Sequence, residues 1–321
     1  MRILTNAPVT IDHAEIRHAG YGVDWHGTGW TGIHLTVTNS KFQALDSGGT
    51  FHQRAIELYE PGSLVVEHSD FVDGQGIWMR AGTPSLVRVR YNEVSNIGRY
   101  PYPMTAGCCV QFLQLTELTV GAAEIAWNRV TNIYGQSDVE DIINLYKTSA
   151  ASAASPVDIH HNLLDGSWPR TGNGASDTGS GAVIGDGGVG AHGIIRDNWV
   201  INVANVGVSI SGGQDNHLLR NRVVSDGLAG AVPVVATWAQ GFNVWDGYNT
   251  GQLANVDAVD NTSALIRPDG RADWWIPGCT PASACTGNVH GPTPTAALEQ
   301  AERDNFAAAA VAAGITIGAD W

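Results

Sequence analysis

The sequence predicts an all-β fold, a right-handed parallel β-helix followed by a C-terminal helical cap. Two observations predict it. A short run of alternating apolar residues recurs along most of the chain, and each run ends at a polar corner that is Asn, or His in its place. A solenoid explains such a repeat, because every coil buries the same apolar positions against its neighbours. The 39 glycines and the charged fraction of only 15% suit short strands joined by tight turns.

The coils differ in length but share the same corner. Successive corners are 23 residues apart between Asn198 and Asn221 and 34 apart between Asn128 and Asn162, so the longer intervals carry loops. Alternation directs Val, Ile and Leu inward and polar groups outward. Asn suits a corner because it tolerates the left-handed backbone conformation, and stacked Asn side chains can hydrogen-bond to one another. The predicted corners are His13, Asn39, His68, Asn92, Asn128, Asn162, Asn198, Asn221 and Asn261.

Two other β folds fit the repeat less well. A β-sandwich does not explain why loops always follow the same Asn-centred unit, and a propeller needs a longer, four-stranded period. The predicted solenoid therefore covers residues 1–268, and residues 269–321 form a loop segment and a helix that caps the solenoid or packs on it. The helix is expected in the Ala-rich segment 296–313, with Pro294 at its first position and Gly314 as its stop.

Composition narrows the classes of function. The net charge is −14 with only 17 Lys and Arg, and the basic patch of a nucleic-acid-binding protein is missing. No apolar run is long enough to span a membrane, and the residues after Met1 do not resemble a signal peptide. Cys279 and Cys285 bracket a short loop that is predicted to be closed by a disulfide, which indicates a secreted or periplasmic protein. The adjacent Cys108 and Cys109 cannot both point inward, and neither has metal-ligand spacing.

A second strand follows each corner and exposes two columns of side chains. Inward pairs such as Ile56 with Leu58 and Ile143 with Leu145 align the coils. Aromatic rings stack on sugar C–H groups while planar polar groups bind hydroxyls, so this face predicts binding of a polysaccharide or oligosaccharide. The predicted substrate-binding residues are Glu57, Tyr59, Trp78, Arg80, Gln111 and Asn144. The expected columns are Glu57, Trp78, Gln111, Asn144, Ile184 and Ser209, and Tyr59, Arg80, Leu113, Tyr146, Asp186 and Ser211.

The richest cluster of titratable groups is the segment 137–147, with Asp186 on the next coil. Adjacent coils stack about 4.8 Å apart, which brings Asp186 within reach of Glu140 or Asp141. Two carboxylates about 5–10 Å apart across a groove form the geometry of acid/base glycoside hydrolysis. The leading expectation is a secreted enzyme that cleaves glycosidic bonds of an extracellular polysaccharide, with Glu140 or Asp141 and Asp186 as acid and base.

The same cluster permits other functions. Asp138, Glu140 and Asp141 could hold Ca²⁺, which takes six to eight oxygen ligands. Lys147 or Tyr146 could then remove the C5 proton of a uronic-acid polymer in a β-elimination. A non-catalytic glycan-binding or adhesion module is a further alternative, in which these side chains only cap turns or face solvent. The sequence is compatible with a monomer or a homo-oligomer.

The Asn-cornered coils, with the segments 140–147 and 207–213, resemble the secreted right-handed parallel β-helix repeat proteins. That superfamily includes pectate lyases, alginate lyases, polygalacturonase-type hydrolases and uronan epimerases. The resemblance covers Val9 to Asn261 and implies the fold and a polysaccharide substrate. The Asn-Thr-Asp, Asp-Asp, Gly-His-Gly and Arg-Ile-Lys set of the hydrolases is missing, and Ala191-His192-Gly193 is a partial match. The carboxylates and Lys147 are similar to calcium-dependent alginate lyases, but the following coil has no matching Arg motif.

Overall fold

A computed structural model shows the predicted solenoid. Within the described residues, nearly all regular structure lies in three long sheets of parallel strands, and a single helix follows them. The chain is therefore a right-handed parallel β-helix. The structure describes residues 1–25, 32–45, 54–98, 110–169, 178–229, 232–233, 239–266, 273–279, 281 and 284–320.

Each coil adds one strand to each sheet in turn, so neighbours within a sheet are one coil apart. Sheet 1 contains β1 (Val9–Asp12), β4 (His34–Thr38), β7 (Ser63–Glu67), β10 (Leu86–Arg90), β14 (Ala123–Ala126), β18 (Val157–His160), β21 (Gly193–Arg196), β24 (His217–Leu219) and β29 (Asp257–Val259). Sheet 2 contains β2 (Glu15–His18), β5 (Lys41–Ala44), β8 (Asp70–Val72), β11 (Glu93–Ser95), β15 (Arg129–Thr131), β19 (Leu163–Ser167), β22 (Trp199–Val203), β25 (Arg222–Ser225), β30 (Thr262–Leu265) and β32 (Val289–His290). Sheet 3 contains β3 (Val23–Trp25), β6 (Arg54–Tyr59), β9 (Gln75–Arg80), β12 (Leu113–Thr116), β16 (Asp141–Tyr146), β20 (Ser180–Asp186), β23 (Val206–Ile210), β28 (Gln240–Val244) and β31 (Trp274–Trp275).

Two small pairs lie outside these sheets. They are β13 (Thr119–Val120) with β17 (Ser149–Ala150), and the antiparallel β26 (Leu228–Ala229) with β27 (Val232–Pro233). The long sheets enclose one continuous apolar core, because alternation along every strand stacks like residues from coil to coil.

The corners form a hydrogen-bonded asparagine ladder, as predicted. Each Asn side-chain nitrogen donates to the side-chain oxygen of the next Asn at 2.8–3.0 Å. The backbone N–H of each Asn also donates to that oxygen, so the buried amides are satisfied on both sides. The ladder runs through Asn92, Asn128, Asn162, Asn198, Asn221, Asn261 and Asn288.

The assignment of the left-handed turn to these Asn residues is wrong. The residue before each ladder Asn has the positive φ, for example 56° at Trp127 and 52° at His161. His13, Asn39 and His68 occupy this preceding position and are not members of the ladder. On the second and third coils, Ser40 and Ser69 take the ladder position, since the Ser40 N–H donates to Ser69 Oγ and the Ser69 N–H to Asn92 Oδ1.

The helix α1 (Ala296–Ala312) packs on the outer face of sheet 2. Its N-cap is Thr295, whose hydroxyl accepts from the Leu298 N–H, so Pro294 lies just outside the helix and not at its first position. Gly314 follows the C-cap with a φ of 69°, in agreement with the predicted stop. The expected helix is confirmed, and its contacts show that it packs along the side of the solenoid.

Two features follow the expected boundary at residue 268. The strands β31 and β32 extend sheets 3 and 2 within the segment expected to be a loop, so strand pairing continues to His290. The predicted disulfide joins Cys279 and Cys285, while Cys108 and Cys109 lie outside the described residues. No helix among the described residues has the length and apolar character needed to cross a membrane.

Candidate functional site

The outward columns of sheet 3 differ from the expected alignment on one coil. The strand β12 begins at Leu113, which pairs with Ile77 and Ile143 and points inward. Gln114 and Thr116 therefore occupy the outward positions that were expected for Gln111 and Leu113. On the coil of β20, Val183 pairs with Asn144 and takes the position expected for Ile184, which is buried.

The first coils of this face are filled by mutual contacts among the predicted substrate-binding residues. Arg54 forms a buried ion pair with Glu57 at 2.6 Å, and its guanidinium lies 3.7 Å from the centre of the Trp78 ring. Tyr59 packs edge-on against Trp78, with ring centroids 5.8 Å apart, and the Arg80 guanidinium lies 5.8 Å from both rings. Glu57 and Trp78 thus contact other side chains of the same face.

Two carboxylates meet at the centre of sheet 3. The side-chain nitrogen of Asn144 donates to Asp141 Oδ2 at 2.7 Å and to Asp186 Oδ2 at 2.9 Å. An amide nitrogen carries two hydrogens, so it can serve one carboxyl with each. The two carboxyl oxygens cannot be farther apart than the sum of these distances. Asp186 was expected within reach of Glu140 or Asp141, and the structure bridges it to Asp141 through Asn144.

A β-bulge places Asp186 beside Asp141. The strands β16 and β20 pair in register as far as Asn144 and Val183, and then Tyr146 pairs with Asp186, so β20 has one extra residue. Gly185 in this bulge has a φ of 68°, and a Cβ built there would lie 2.1 Å from the Gly212 carbonyl oxygen. Bulges redirect side chains beside functional sites, and here the bulge returns Asp186 to the outward face.

The environment of Asp141 favours its protonated form. Burial of the carboxyl is the main cause, and the nearby Glu140 charge acts in the same direction, so that together they raise the pKa of Asp141 to about 8. Glu140 itself accepts a hydrogen bond of 2.9 Å from Gln111 Nε2. Asp141 is thus a carboxylic acid that holds its proton near neutral pH.

Asp186 is held as a hydrogen-bond acceptor. It accepts from the Asn144 amide, from the Gly187 N–H at 2.9 Å and from the Tyr248 hydroxyl. Burial, together with the Asp186 charge, raises the pKa of Tyr248, so the phenol stays protonated and is the donor. Three donors around one carboxyl are the arrangement of an ionised carboxylate.

Tyr248 reaches Asp186 from a loop that follows β28. The Asp246 carboxylate accepts from the backbone N–H groups of Thr250 at 3.0 Å and Gly251 at 2.7 Å, which holds the loop in a tight turn. The Thr250 hydroxyl then donates to the Gly188 carbonyl at 3.0 Å. The loop is therefore fastened to the glycine-rich turn that carries Asp186.

A cleft of about 550 Å³ opens over the two carboxylates and extends toward the C-terminal coils. Its acidic lining residues are Glu140, Asp141 and Asp186, and Asn144 lies buried beneath them. None of the described residues that line the cleft is Lys or Arg. The other polar and aromatic lining residues are Ser180, Asn205, Ser209, Ser211, Gln240, Asn243, Trp245, Tyr248 and Trp275.

The remaining predicted site residues lie around the cleft. Tyr146 pairs with Asp186 on the neighbouring strand. Lys147 is exposed and has a φ of 50°, and its ammonium lies 5.1 Å from the centre of the Tyr146 ring. Asp138 precedes β16, with its N–H bonded to the Ile97 carbonyl. Within the described part of the chain, no three His, Cys, Asp or Glu side chains form a group that could hold a metal ion. The predicted calcium ligands Asp138, Glu140 and Asp141 therefore do not form such a group.

The sequence interpretation missed the C-terminal half of the cleft, including Asn243, Trp245, Tyr248 and Trp275. A signal for it exists: the segment 241–245, Gly-Phe-Asn-Val-Trp, has the same pattern as the segment 207–211, Gly-Val-Ser-Ile-Ser. The interval between Asn221 and Asn261 is 40 residues long, so the strand of sheet 3 on this coil was not aligned with the others.

The chain was also compared with known proteins. Comparisons with protein-family models, with curated proteins and with solved structures gave no match. The function is therefore inferred from the geometry of the cleft.

Proposed function

We propose that this protein is a secreted carbohydrate-active enzyme that hydrolyses glycosidic bonds in a polysaccharide. The observation that carries the proposal is the Asp141–Asn144–Asp186 bridge at the floor of an open polar cleft. Its two carboxyls have opposed environments, one buried and protonated, the other surrounded by donors. Two carboxyl groups whose environments favour opposite protonation states supply the acid and the base of glycosidases.

Each carboxyl has a defined role in the reaction. Asp141 donates its proton to the glycosidic oxygen as the bond to the leaving sugar breaks. Asp186, held by Asn144 and Tyr248, attacks the anomeric carbon as that bond breaks and forms a glycosyl-enzyme. Asp141, now ionised, takes a proton from the water that hydrolyses this intermediate and releases the sugar. Carboxyl groups about 5–5.5 Å apart are typical of retaining enzymes, and those about 6.5–9.5 Å apart of inverting enzymes. The Asn144 bridge keeps its two bonded carboxyl oxygens closer together than about 6.5 Å, the lower limit for inverting enzymes, so we expect retention of anomeric configuration.

The charge of the cleft favours an uncharged glycan. Three carboxyl groups and no Lys or Arg appear among its described lining residues. A uronic-acid polymer would bring further negative charge toward Glu140 and Asp186 without a cationic partner. Serine hydroxyls and side-chain amides can hydrogen-bond to sugar hydroxyls, and indoles can stack on sugar ring faces. The disulfide between Cys279 and Cys285 supports a secreted or periplasmic location.

A product screen tests the proposal. The protein is incubated with neutral and uronic-acid polysaccharides, with calcium or with chelator, and reducing ends and ultraviolet absorbance are read together. Hydrolysis predicts reducing ends without absorbance, and NMR of the first product gives its anomeric configuration. An ultraviolet-absorbing product that is lost with chelator would instead indicate a lyase. Binding without any product would indicate a glycan-binding module.

Variants assign the activity to the two carboxyls. Asp141→Asn and Asp186→Asn are each expected to lower kcat by roughly 10²-fold or more, since general acid–base catalysis contributes about that much. Asp12→Asn is a matched control, because Asp12 is an exposed carboxylate in β1, on another sheet. Full activity in both site variants would contradict the assignment.

A further inference from the structure

Two tryptophans lie together at the C-terminal end of the cleft. Trp275 of β31 pairs with Asn243 of β28, and Trp245 directly follows the last residue of β28. Their ring centroids are 5.1 Å apart, the rings are inclined at 58°, and 44% of Trp275 is exposed. An indole exposed in a polar cleft offers a surface on which the C–H groups of a sugar ring can stack.

Polar groups beside the tryptophans are oriented by hydrogen bonds. The Ser209 hydroxyl donates to the side-chain oxygen of Asn243 and lies 2.9 Å from the Ser211 hydroxyl. Asn243 also lines the cleft, and since its oxygen accepts from Ser209, its amide nitrogen is the atom that can donate to a ligand. A sugar can stack its ring face on the indole and hydrogen-bond through its hydroxyls to the neighbouring amide.

The tryptophans lie at a defined distance from the carboxylates. Asp186 ends β20, and the strand order in sheet 3 is β20, β23, β28, so Trp245 is two coils away. Two strand spacings are about 10 Å, which is more than the width of one sugar ring. A sugar stacked on the tryptophans is therefore not the sugar whose bond is broken at Asp141 and Asp186.

The other side of the carboxylates lacks a comparable surface among the described residues. Trp78 is covered by the Arg54 guanidinium at 3.7 Å, and Gln114 between Trp78 and Asn144 is buried. The described residues that line the cleft all lie between Glu140 and Trp275 in the chain. The cleft therefore runs from Asp141 and Asp186 toward the C-terminal coils.

We propose that Trp245, two coils from Asp186, and Trp275, on the following coil, form a stacking subsite for a sugar residue of an uncharged oligosaccharide. The subsite makes the enzyme prefer substrates long enough to span from the carboxylates to the tryptophans. This inference rests on the hydrolytic function proposed above.

Chain-length dependence tests the subsite. Neutral gluco-, xylo- and manno-oligosaccharides, from di- to hexasaccharides, are offered to the wild type and to Trp275→Ala. The variant is expected to lose about tenfold in kcat/KM on hexasaccharides, the upper range for one aromatic stacking contact, and to be unchanged on disaccharides. The same oligosaccharides are titrated against Asp141→Asn and Asp141→Asn/Trp275→Ala, with tryptophan fluorescence as the readout. Trp199→Phe is the control, because Trp199 lies on sheet 2 against Phe306 of α1 and outside the cleft.

The outcomes separate the two proposals. An equal kcat/KM for wild type and Trp275→Ala on long substrates would overturn the subsite and leave hydrolysis in place. Binding that weakens in Trp275→Ala without any cleavage would support the subsite and overturn hydrolysis. If no oligosaccharide is bound or cleaved, both proposals fail.

Discussion

Asp141 is the residue at which folding stability and proposed activity oppose each other. Its carboxyl is only 6% exposed and lies beside Glu140, which together raise its pKa to about 8. Its partner Asn144 is also costly, since the side-chain oxygen of Asn144 is buried with no hydrogen-bond partner in the described structure. Adjacent unfavourable groups at the floor of a cleft are typical of a site selected for activity.

The stability of Asp141→Asn should depend on pH. The pKa of Asp141 rises from 3.8 to about 8 on folding, so its protonated form contributes stability that is fully present below about pH 4 and is lost as pH rises through 8. Asn is neutral at every pH and does not lose this contribution. We expect the variant to gain about 5 kcal/mol over wild type at pH 8.5, because the pKa of Asp141 rises by roughly four units and each unit corresponds to about 1.4 kcal/mol, and little at pH 4.

Urea denaturation at both pH values measures this difference. Asp12→Asn is the opposite control, because a hydrogen bond from Thr38 is the main cause of a lowered pKa at Asp12. That variant is expected to gain no stability at pH 8.5. An equal stability change in Asp141→Asn at both pH values would contradict the buried, protonated state of Asp141.

The same group should set the alkaline limit of activity. Only protonated Asp141 can donate to a leaving sugar, so kcat is expected to fall as pH rises through about 8, the pKa of this carboxyl. A pH–rate profile on a cleaved polysaccharide measures it. A bound glycan excludes more water from Asp141 and raises the pKa of this carboxyl further, which moves the fall in kcat to higher pH. A fall in kcat that begins below pH 6 would indicate that a group other than Asp141 donates the proton.

At the scale of elements, the site depends on one irregularity in β20. A regular strand would continue the register of Asn144 with Val183 and would turn Asp186 toward the core. The extra residue at the Gly185 bulge restores the outward direction, and the following glycines fit against Tyr146 on one side and Tyr248 on the other. The proximity of Asp186 to Asp141 thus depends on the bulge.

Gly185→Ala should disrupt this element. Its φ of 68° is unfavourable for Ala, and the new Cβ would lie 2.1 Å from the Gly212 carbonyl oxygen, so the bulge must shift. We expect a loss of at least about 2 kcal/mol in free energy of unfolding, together with most activity. Gly314→Ala is the matched control, with a φ of 69° and nothing within 4 Å of its Cβ. Similar losses in both variants would show that the φ alone matters.

Sequence reasoning predicted the regular parts of this architecture. The alternation of apolar and polar residues predicted the inward residues of most strands, and the recurring Asn predicted the stacked corner, because both patterns repeat from coil to coil. It also placed Asp186 within reach of Glu140 or Asp141, since neighbouring coils lie one strand spacing apart. It placed Gln111 and Ile184 wrongly, because a register one residue off or a bulge leaves no trace in composition. The Tyr248 loop could not be predicted, because a contact made across 62 residues has no local signal.

At the scale of the whole molecule, two interactions tie the coils together. The apolar core is continuous, and the asparagine ladder passes through seven consecutive corners. The helix α1 adds a lateral support, with Arg303 paired to Asp165 of β19 at 2.7 Å and Arg222 of β25 to Glu302. Since each coil contacts mainly its neighbours, a local defect is transmitted along the stack through these contacts.

The ladder should therefore be most sensitive at its middle. Asn162 accepts from the Asn128 side chain and backbone N–H, and its own nitrogen donates to Asn198 and to the Ile125 carbonyl. Asn162→Ala leaves these buried partners unsatisfied, so we expect a loss of about 3 kcal/mol or more.

Asn288→Ala removes the terminal, partly exposed member of the ladder, where water can replace the missing partner, and is expected to cost about 1 kcal/mol. The free energies of unfolding of the two variants, measured by urea denaturation, should differ accordingly. Equal losses would mean that each corner acts alone, and the coils would then be held by their apolar core without a contribution that depends on position in the ladder.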